Sequence, residues 1–521
     1  MAATRARTGG MVLFSYGQNQ LSIYVRRHMS KDSLSVDTAW AQERNAAFGA
    51  DRANRVARNA VTSADVMAAA RDTTKMRTYS DTFGVTVPKT AEVTNQRQSG
   101  RCWFFSAMNA LRHDTMVYLD VDTIEFSQAF GMFYDKLEKA NSTLEYVIQT
   151  ADLPNDAREV CHVLDFGMGD GGYYSFAMNV VRKWGIVPKY AMPETACTKN
   201  SSQMNAQLER LVRKDAFTLR RMHKDGASEA ELRAAKQDML ADVHQLLATC
   251  LGEPPVTFDF VMKVGKNCKA DAAKLSPIEP APKPATDDAN GDAQGEKDDS
   301  RASQVIRDLG ITPLEFAERY VPVDPDDYVA LVSMPGASRP YGHAYHLTLT
   351  DSVQGGTPIR VLNVEPQVLE RAAIASLKAG VPCAMACDVM QEFPRNIEDF
   401  KYVLSLDGED LNGLFGVDLS MTRADMIDAR ETSLTHAMCF QGVELDADGQ
   451  PKAWRIENSW GKDQGKDGYL VMSADWFRLY GGEVDVRREF VPADVLKLWD
   501  EAPVEDVAPW SNICHALGTR D

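Results

Sequence analysis

No run in the 521 residues approaches the roughly 20 consecutive apolar positions of a bilayer-spanning helix, so a membrane partner is not expected. Cysteine is scarce: nine residues, an odd number, scattered and without a CxxC pair, which excludes a zinc-ribbon spacing and a disulfide framework. Positive charge is in deficit, 57 Lys and Arg against 74 Asp and Glu for a net charge of −17, which argues against nucleic acid as a default partner. With 44% hydrophobic and 8% aromatic residues, neither wholesale disorder nor a fibrous repeat fits. No cofactor is expected. A large, acidic, cysteine-poor chain without a secretory signal reads as cytoplasmic.

Acid is missing altogether from residues 1–31, which carry Arg5, Arg7, Arg26, Arg27, His28 and Lys31. That pattern fits either an organelle transit peptide or an extension upstream of a start at Met29. Residues 1–28 are set aside as a disordered extension. A helical arm is expected over 29–95, turning extended near Val85-Thr86-Val87. The helical half, 96–200, is dominated by an apolar helix from Cys102 to about Leu119, apolar on more than one face and so deeply buried. Residues 201–265 read as an inserted arm of two amphipathic helices, broken at Asp225-Gly226 and restarted at Ser228 with Glu231 completing a capping box. Residues 266–304 are rich in Pro and Asp; from Ala281 to Gln304 there is no Leu, Ile, Val or aromatic, and a disordered insertion is expected. From 305 to 495 the pattern turns to short β-rich runs near 359–364, 383–389, 436–445, 454–460 and 469–472, with Asp446 to Pro451 as a hairpin turn. The fold class is α+β, helices first and antiparallel sheet second, followed by a tail over 496–521.

The chemistry-bearing segment is the polar loop Thr94 to Arg101 running into the buried helix at Cys102. A thiol at a helix start meets unpaired backbone N–H groups and the positive end of the dipole, and both favour thiolate. A thiolate nucleophile needs a proton partner, and that partner an orienting group. His436 opens one arm of the expected hairpin and Asn458 closes the other, so pairing brings them to one end, where the Asn oxygen fixes the imidazole tautomer and Trp460 shields the bond.

Taken together these residues resemble the papain-like cysteine peptidases, within them the bleomycin hydrolase or aminopeptidase C branch. Gln96 stands six residues before the Cys102-Trp103 pair; Thr435-His436-Ala437-Met438 and Asn458-Ser459-Trp460-Gly461 carry the His and Asn segments. Asn54 to Ala57, Gly185 to Lys189, Met192 to Thr195 and Thr312 to Phe316 narrow the resemblance to that branch. It implies a papain-like fold in which Cys102 attacks an amide carbonyl, His436 moves the proton, Asn458 orients His436, and Gln96 with the Cys102 N–H forms an oxyanion hole. It also implies Gly171-Gly172 as a backbone-docking site for substrate, Trp460 beside it, peptide substrates and a homo-hexamer. The branch's C-terminal tail lies in the cleft, where its carboxylate holds the substrate α-amine.

Here the tail departs from the pattern. It continues past Leu517 as Gly518-Thr519-Arg520-Asp521, and Cys514-His515 replaces small residues. Leu517 and Asp521 are the candidate anchors. An aminopeptidase is the leading expectation; a displaced-tail endopeptidase and a non-catalytic peptide- or nucleic-acid-binding assembly are the alternatives. His343 and His346 lack a neighbouring carboxylate pattern in sequence and are not read as metal ligands; Cys383 and Cys387 are expected in a strand core.

Overall fold

The computed structural model describes residues 35–76, 79–278 and 302–518. Two units divide the chain: one from residues 1–70 and 411–418, the other from 71–410 and 419–521. The first consists of helices Thr38–Ala50, Arg52–Val61, Val66–Ala70 and Leu411–Phe415. Asp51 ends the first helix and caps the second, its carboxylate accepting the Asn54 N–H at 3.1 Å. The expected arm therefore stops at 70; residues 71–95 belong with the second unit, where Val85–Thr86 pairs with Gly442 and Val443.

The second unit is built on an eleven-stranded mixed sheet. Its order is 504–507, 343–347, 360–363, 328–332, 481–487, 383–387, 436–445, 451–457, 469–473 and 403–404, with 85–86 added beside 436–445. The strands His436–Leu445 and Pro451–Glu457 form the expected hairpin, with Cys439 opposite Glu457. Successive residues of Cys383–Cys387 face opposite sides. Ala384 packs on the face beneath helix Cys102–Leu119, whereas Cys383, Met385 and Cys387 pack with helix Pro366–Lys378 and with Trp476 and Phe477. The sheet is thus covered on both faces, and Cys383 and Cys387 are fully buried strand residues.

A separate helical layer joins Gln128–Gln149 to the antiparallel pair Ser202–Lys224 and Glu229–Leu251. The second of that pair starts as expected: Ser228 accepts the Glu231 N–H while Glu231 accepts the Ser228 N–H at 2.8 Å. The 266–304 region is not wholly irregular. Leu275–Pro277 and Ala302–Ile311 pair with each other, and the latter with Phe258–Gly265, in a three-stranded sheet that also takes the end of the expected arm. Ile306 and Phe260, on either side of the stretch, anchor that sheet in the core. Residues 279–301, like 1–34, lie outside the described residues. No helix among those described is long and apolar enough to cross a membrane.

Candidate active site

Helix Cys102–Leu119 begins without a side-chain cap: Arg101 precedes it and makes no capping hydrogen bond. Its first N–H groups are therefore left for whatever lies at the helix start. Arg101 turns away instead, with its guanidinium on Glu194 at 3.0 and 2.8 Å and on the Thr198 carbonyl at 2.7 Å. Ser106 donates to the Met438 carbonyl, tying the helix to the His436 strand.

His436 Nε2 lies 2.8 Å from Asn458 Oδ1, which also accepts the Ser459 N–H at 2.7 Å. Oδ1 only accepts, so Nε2 carries the proton and Nδ1 is the basic nitrogen of the neutral ring. Trp460 stacks on the imidazole, 4.7 Å between centroids and 29° between planes, with Phe393 stacked behind it. The loop before the helix is tied to the Asn458 segment. Gln96 N–H donates to the Ser459 carbonyl at 2.7 Å, Ser459 Oγ to Gln96 Oε1 at 2.6 Å, and Gly461 N–H to the Thr94 carbonyl at 2.9 Å. Gln96 Nε2 spends one proton on the Ser99 carbonyl at 2.7 Å and keeps the other.

Cys102, Trp103, Gly171, Gly172, His436 and Ala437 line one cleft of about 430 Å³, together with Leu517 and Gly518 of the tail. The tail is seated there by backbone contacts. Leu434 N–H donates to the Ala516 carbonyl and Ser433 Oγ to the His515 carbonyl, each at 2.8 Å, while Arg158 lies over the Trp510 ring. Gly518 has φ +70°, and a Cβ there would lie 1.7 Å from the Leu434 carbonyl oxygen. Asp521 lies outside the described residues.

Two expectations change. Trp460 does not line the cleft; its ring is committed to the imidazole. The Cys102 thiol is not driven to thiolate by the helix start alone. Burial pushes it up, outweighing the N–H groups of Ala437, Trp103 and Cys102 that favour the anion. Burial likewise pushes His436 down to about 4, against the Asn458 hydrogen bond. Each group by itself rests neutral at pH 7, and charge in the pair is favoured only when both ionise together.

Three residues escaped the sequence reading. Asp170 immediately precedes the Gly171-Gly172 pair; its carboxylate takes the Gly100 N–H at 3.0 Å, Ser201 Oγ at 2.5 Å and Lys136 Nζ at 2.7 Å. Its carbonyl accepts Trp103 Nε1 at 2.8 Å, and Lys139 Nζ holds the Gly171 carbonyl at 2.7 Å. Burial opposes ionisation of Asp170, but the Lys136 ammonium and these hydrogen bonds outweigh it and hold the carboxyl below its usual value. Gly172 is small because a Cβ would lie 2.6 Å from Trp103. Lys136 and Lys139, buried on helix Gln128–Gln149, were the available signal that an acid lies opposite them. The other two, Glu483 and Asp485, also line the cleft. The histidines set aside above do meet carboxylates: His343 meets Glu505 and His346 meets Asp506 across a parallel strand pair, and His346 also meets Asp351 five residues on.

The fold is papain-like: a helix bearing a cysteine at its start, packed on a sheet bearing a histidine–asparagine pair. The chain belongs to the Peptidase C1-like family, which matches residues 35–283 and 296–514. It is similar to Aminopeptidase G of Lactobacillus delbrueckii subsp. lactis, 36% identical over 90% of this chain and 97% of that one. Aminopeptidase C of Streptococcus thermophilus is 35% identical over 80% of this chain and 85% of its own length. The crystal structure of PepW from Lactobacillus rhamnosis HN001 superposes with a TM-score of 0.81 at 33% identity, covering 92% of this chain and 98% of that chain.

Proposed function

We propose that the protein is a thiol-dependent cysteine aminopeptidase that removes N-terminal residues from short peptides through an acyl-enzyme. The observation that carries this reading is the His436 Nε2–Asn458 Oδ1 hydrogen bond at 2.8 Å in a residue that shares a cleft with Cys102. With Nε2 held by Asn458, His436 Nδ1 takes the Cys102 thiol proton as sulfur attacks the scissile carbonyl carbon. The free proton of Gln96 Nε2 and the Cys102 N–H receive the developing oxyanion; one such donor is worth about 3–4 kcal/mol. Imidazolium then protonates the leaving amine. Water, deprotonated by the same nitrogen, hydrolyses the thioester and restores the thiol.

The seated tail supports exopeptidase action, because Leu517 and Gly518 line the same cleft as Cys102. By resemblance, amide-bearing xenobiotics such as bleomycin are further substrates and a homo-hexamer is the assembly. The test is hydrolysis of aminoacyl reporter amides under reducing conditions. Wild type is expected to release the reporter from free amines and not from N-acetylated substrates, and Cys102→Ala to release none. Equal rates for wild type and Cys102→Ala refute the reading; equal rates on free and acetylated substrates refute the exopeptidase part.

A further inference from the structure

Strand Gly481–Arg487 is interior to the sheet, yet carries Glu483 and Asp485 on one face. Each is 5% exposed, and among the described residues neither carboxylate has a hydrogen bond or ion pair. Other buried acids nearby have partners: Asp170 pairs with Lys136, Glu457 with Arg112 and Asp135 with Lys139, while Asp388 accepts from Thr432 and Thr435. A buried carboxylate without a partner is costly, so the group keeps its proton until a counter-charge reaches it, and such groups in a cleft are candidates for ligand contact.

What lies in front of the pair is open space. Across the sheet Glu483 is in register with Ala386 and Ala386 with Ala437, the residue after His436; Asp485 is in register with Ala384. Side chains in one row share a face, so the row running from Glu483 continues only as the methyl groups of Ala386 and Ala437, both of which line the Cys102 cleft. Two strand spacings, about 10 Å, separate the ends of the row. Both carboxylates line the Cys102 cleft and also a second cavity of about 340 Å³ bounded by Tyr174 and Tyr328. Without a partner, burial pushes Glu483 up to about 7 and Asp485 well above the ordinary carboxylate range. Each carboxyl therefore holds its proton more firmly than an ordinary acid and gives it up most readily beside a positive charge.

We propose that Glu483 and Asp485 form a subsite for a cationic group of the peptide substrate, with the alanine row as its channel. The inference rests on the peptidase reading for the presence of a peptide in the cleft. A guanidinium or ammonium at the end of a basic side chain matches the depth of the site; the α-ammonium is the other source of the same chemistry. Recognition takes place before any bond is made, so it is measurable without turnover.

The probes are Nα-acetylargininamide, Nα-acetylleucinamide and leucinamide, titrated calorimetrically into full-length Cys102→Ala protein. The expected result is at least tenfold tighter binding of acetylargininamide than of acetylleucinamide. That preference is lost when Asp485→Asn or Glu483→Gln is added. It is also lost with Ala386→Leu, which blocks the row and leaves both carboxylates in place, should a carboxylate variant not fold. If instead leucinamide alone depends on the two carboxylates, the subsite serves the α-ammonium. Equal binding of all three probes to Cys102→Ala overturns the proposal. So does a preference that no substitution alters. Failure of the peptidase reading shows separately, as wild-type protein that turns over no reporter.

Discussion

Arg112, on the helix that starts at Cys102, forms an ion pair with Glu457, the residue before Asn458, and the two side chains are only 3% and 1% exposed. Gln441 donates to the other Glu457 oxygen at 2.5 Å, and Arg112 also donates to the Glu92 carbonyl at 3.1 Å. A buried bond between charged groups thus links the cysteine-bearing helix to the strand end that presents Asn458. Arg112→Leu leaves Glu457 buried without its counter-charge and is expected to cost about 3–5 kcal/mol in urea unfolding. Adding Glu457→Gln should return part of that loss, because the stranded charge is gone; no recovery would locate the cost in packing instead.

Asp170 is expected to act as a positioning residue. Asp170→Asn keeps the shape but weakens the hold on Gly100 and Lys136, and kcat/KM on reporter amides should fall by about tenfold or more. The stability consequence has a sign. A carboxyl held below its usual value contributes stability above the unfolded-state pKa of about 4 and loses it as pH falls toward the folded-state value. Urea midpoints at pH 7 and pH 3 should therefore converge in Asp170→Asn relative to wild type. An unchanged pH dependence would remove Asp170 from the account.

His436 predicts an unusual acid limb. With the imidazole pushed down to about 4 by burial, it stays a neutral base well below the ordinary histidine range. The folded state then resists a proton that the unfolded state accepts below about 6.5, so stability falls as pH drops from there toward 4. Activity should persist through that same window, with kcat/KM declining only as pH nears 4. A decline centred near 6.5 in stopped-flow assays would contradict the burial argument.

Much of this site was legible from residues alone. The start of the Cys102 helix and the hairpin carrying His436 and Asn458 both stand where the sequence indicates, because a buried apolar helix and a hairpin turn are local signals. Glu483 and Asp485 were not legible: no strand is expected at Gly-Gly-Glu-Val-Asp-Val, and only pairing with 328–332 and 383–387 makes it an interior one. Glu505 and Asp506 reach His343 and His346 through a parallel pairing of residues distant in sequence, which no local pattern carries. The 266–304 insertion was read from composition, which conceals the two strands at its ends.

Gly518 tests the tail. Its positive φ and its approach to the Leu434 carbonyl leave no place for a Cβ, so Gly518→Ala should lift the end of the chain from the cleft. N-acetylated reporters should then become substrates, and the ratio of free-amine to acetylated kcat/KM should fall at least tenfold. A ratio equal to wild type would mean that the seated tail does not set exopeptidase action.

The most direct test of the central claim is intact-mass spectrometry of protein quenched in acid during turnover of an aminoacyl ester. The account predicts an added aminoacyl mass that maps to Cys102, absent from Cys102→Ala, which turns over nothing. Turnover without an adduct, retained by Cys102→Ala, would contradict it.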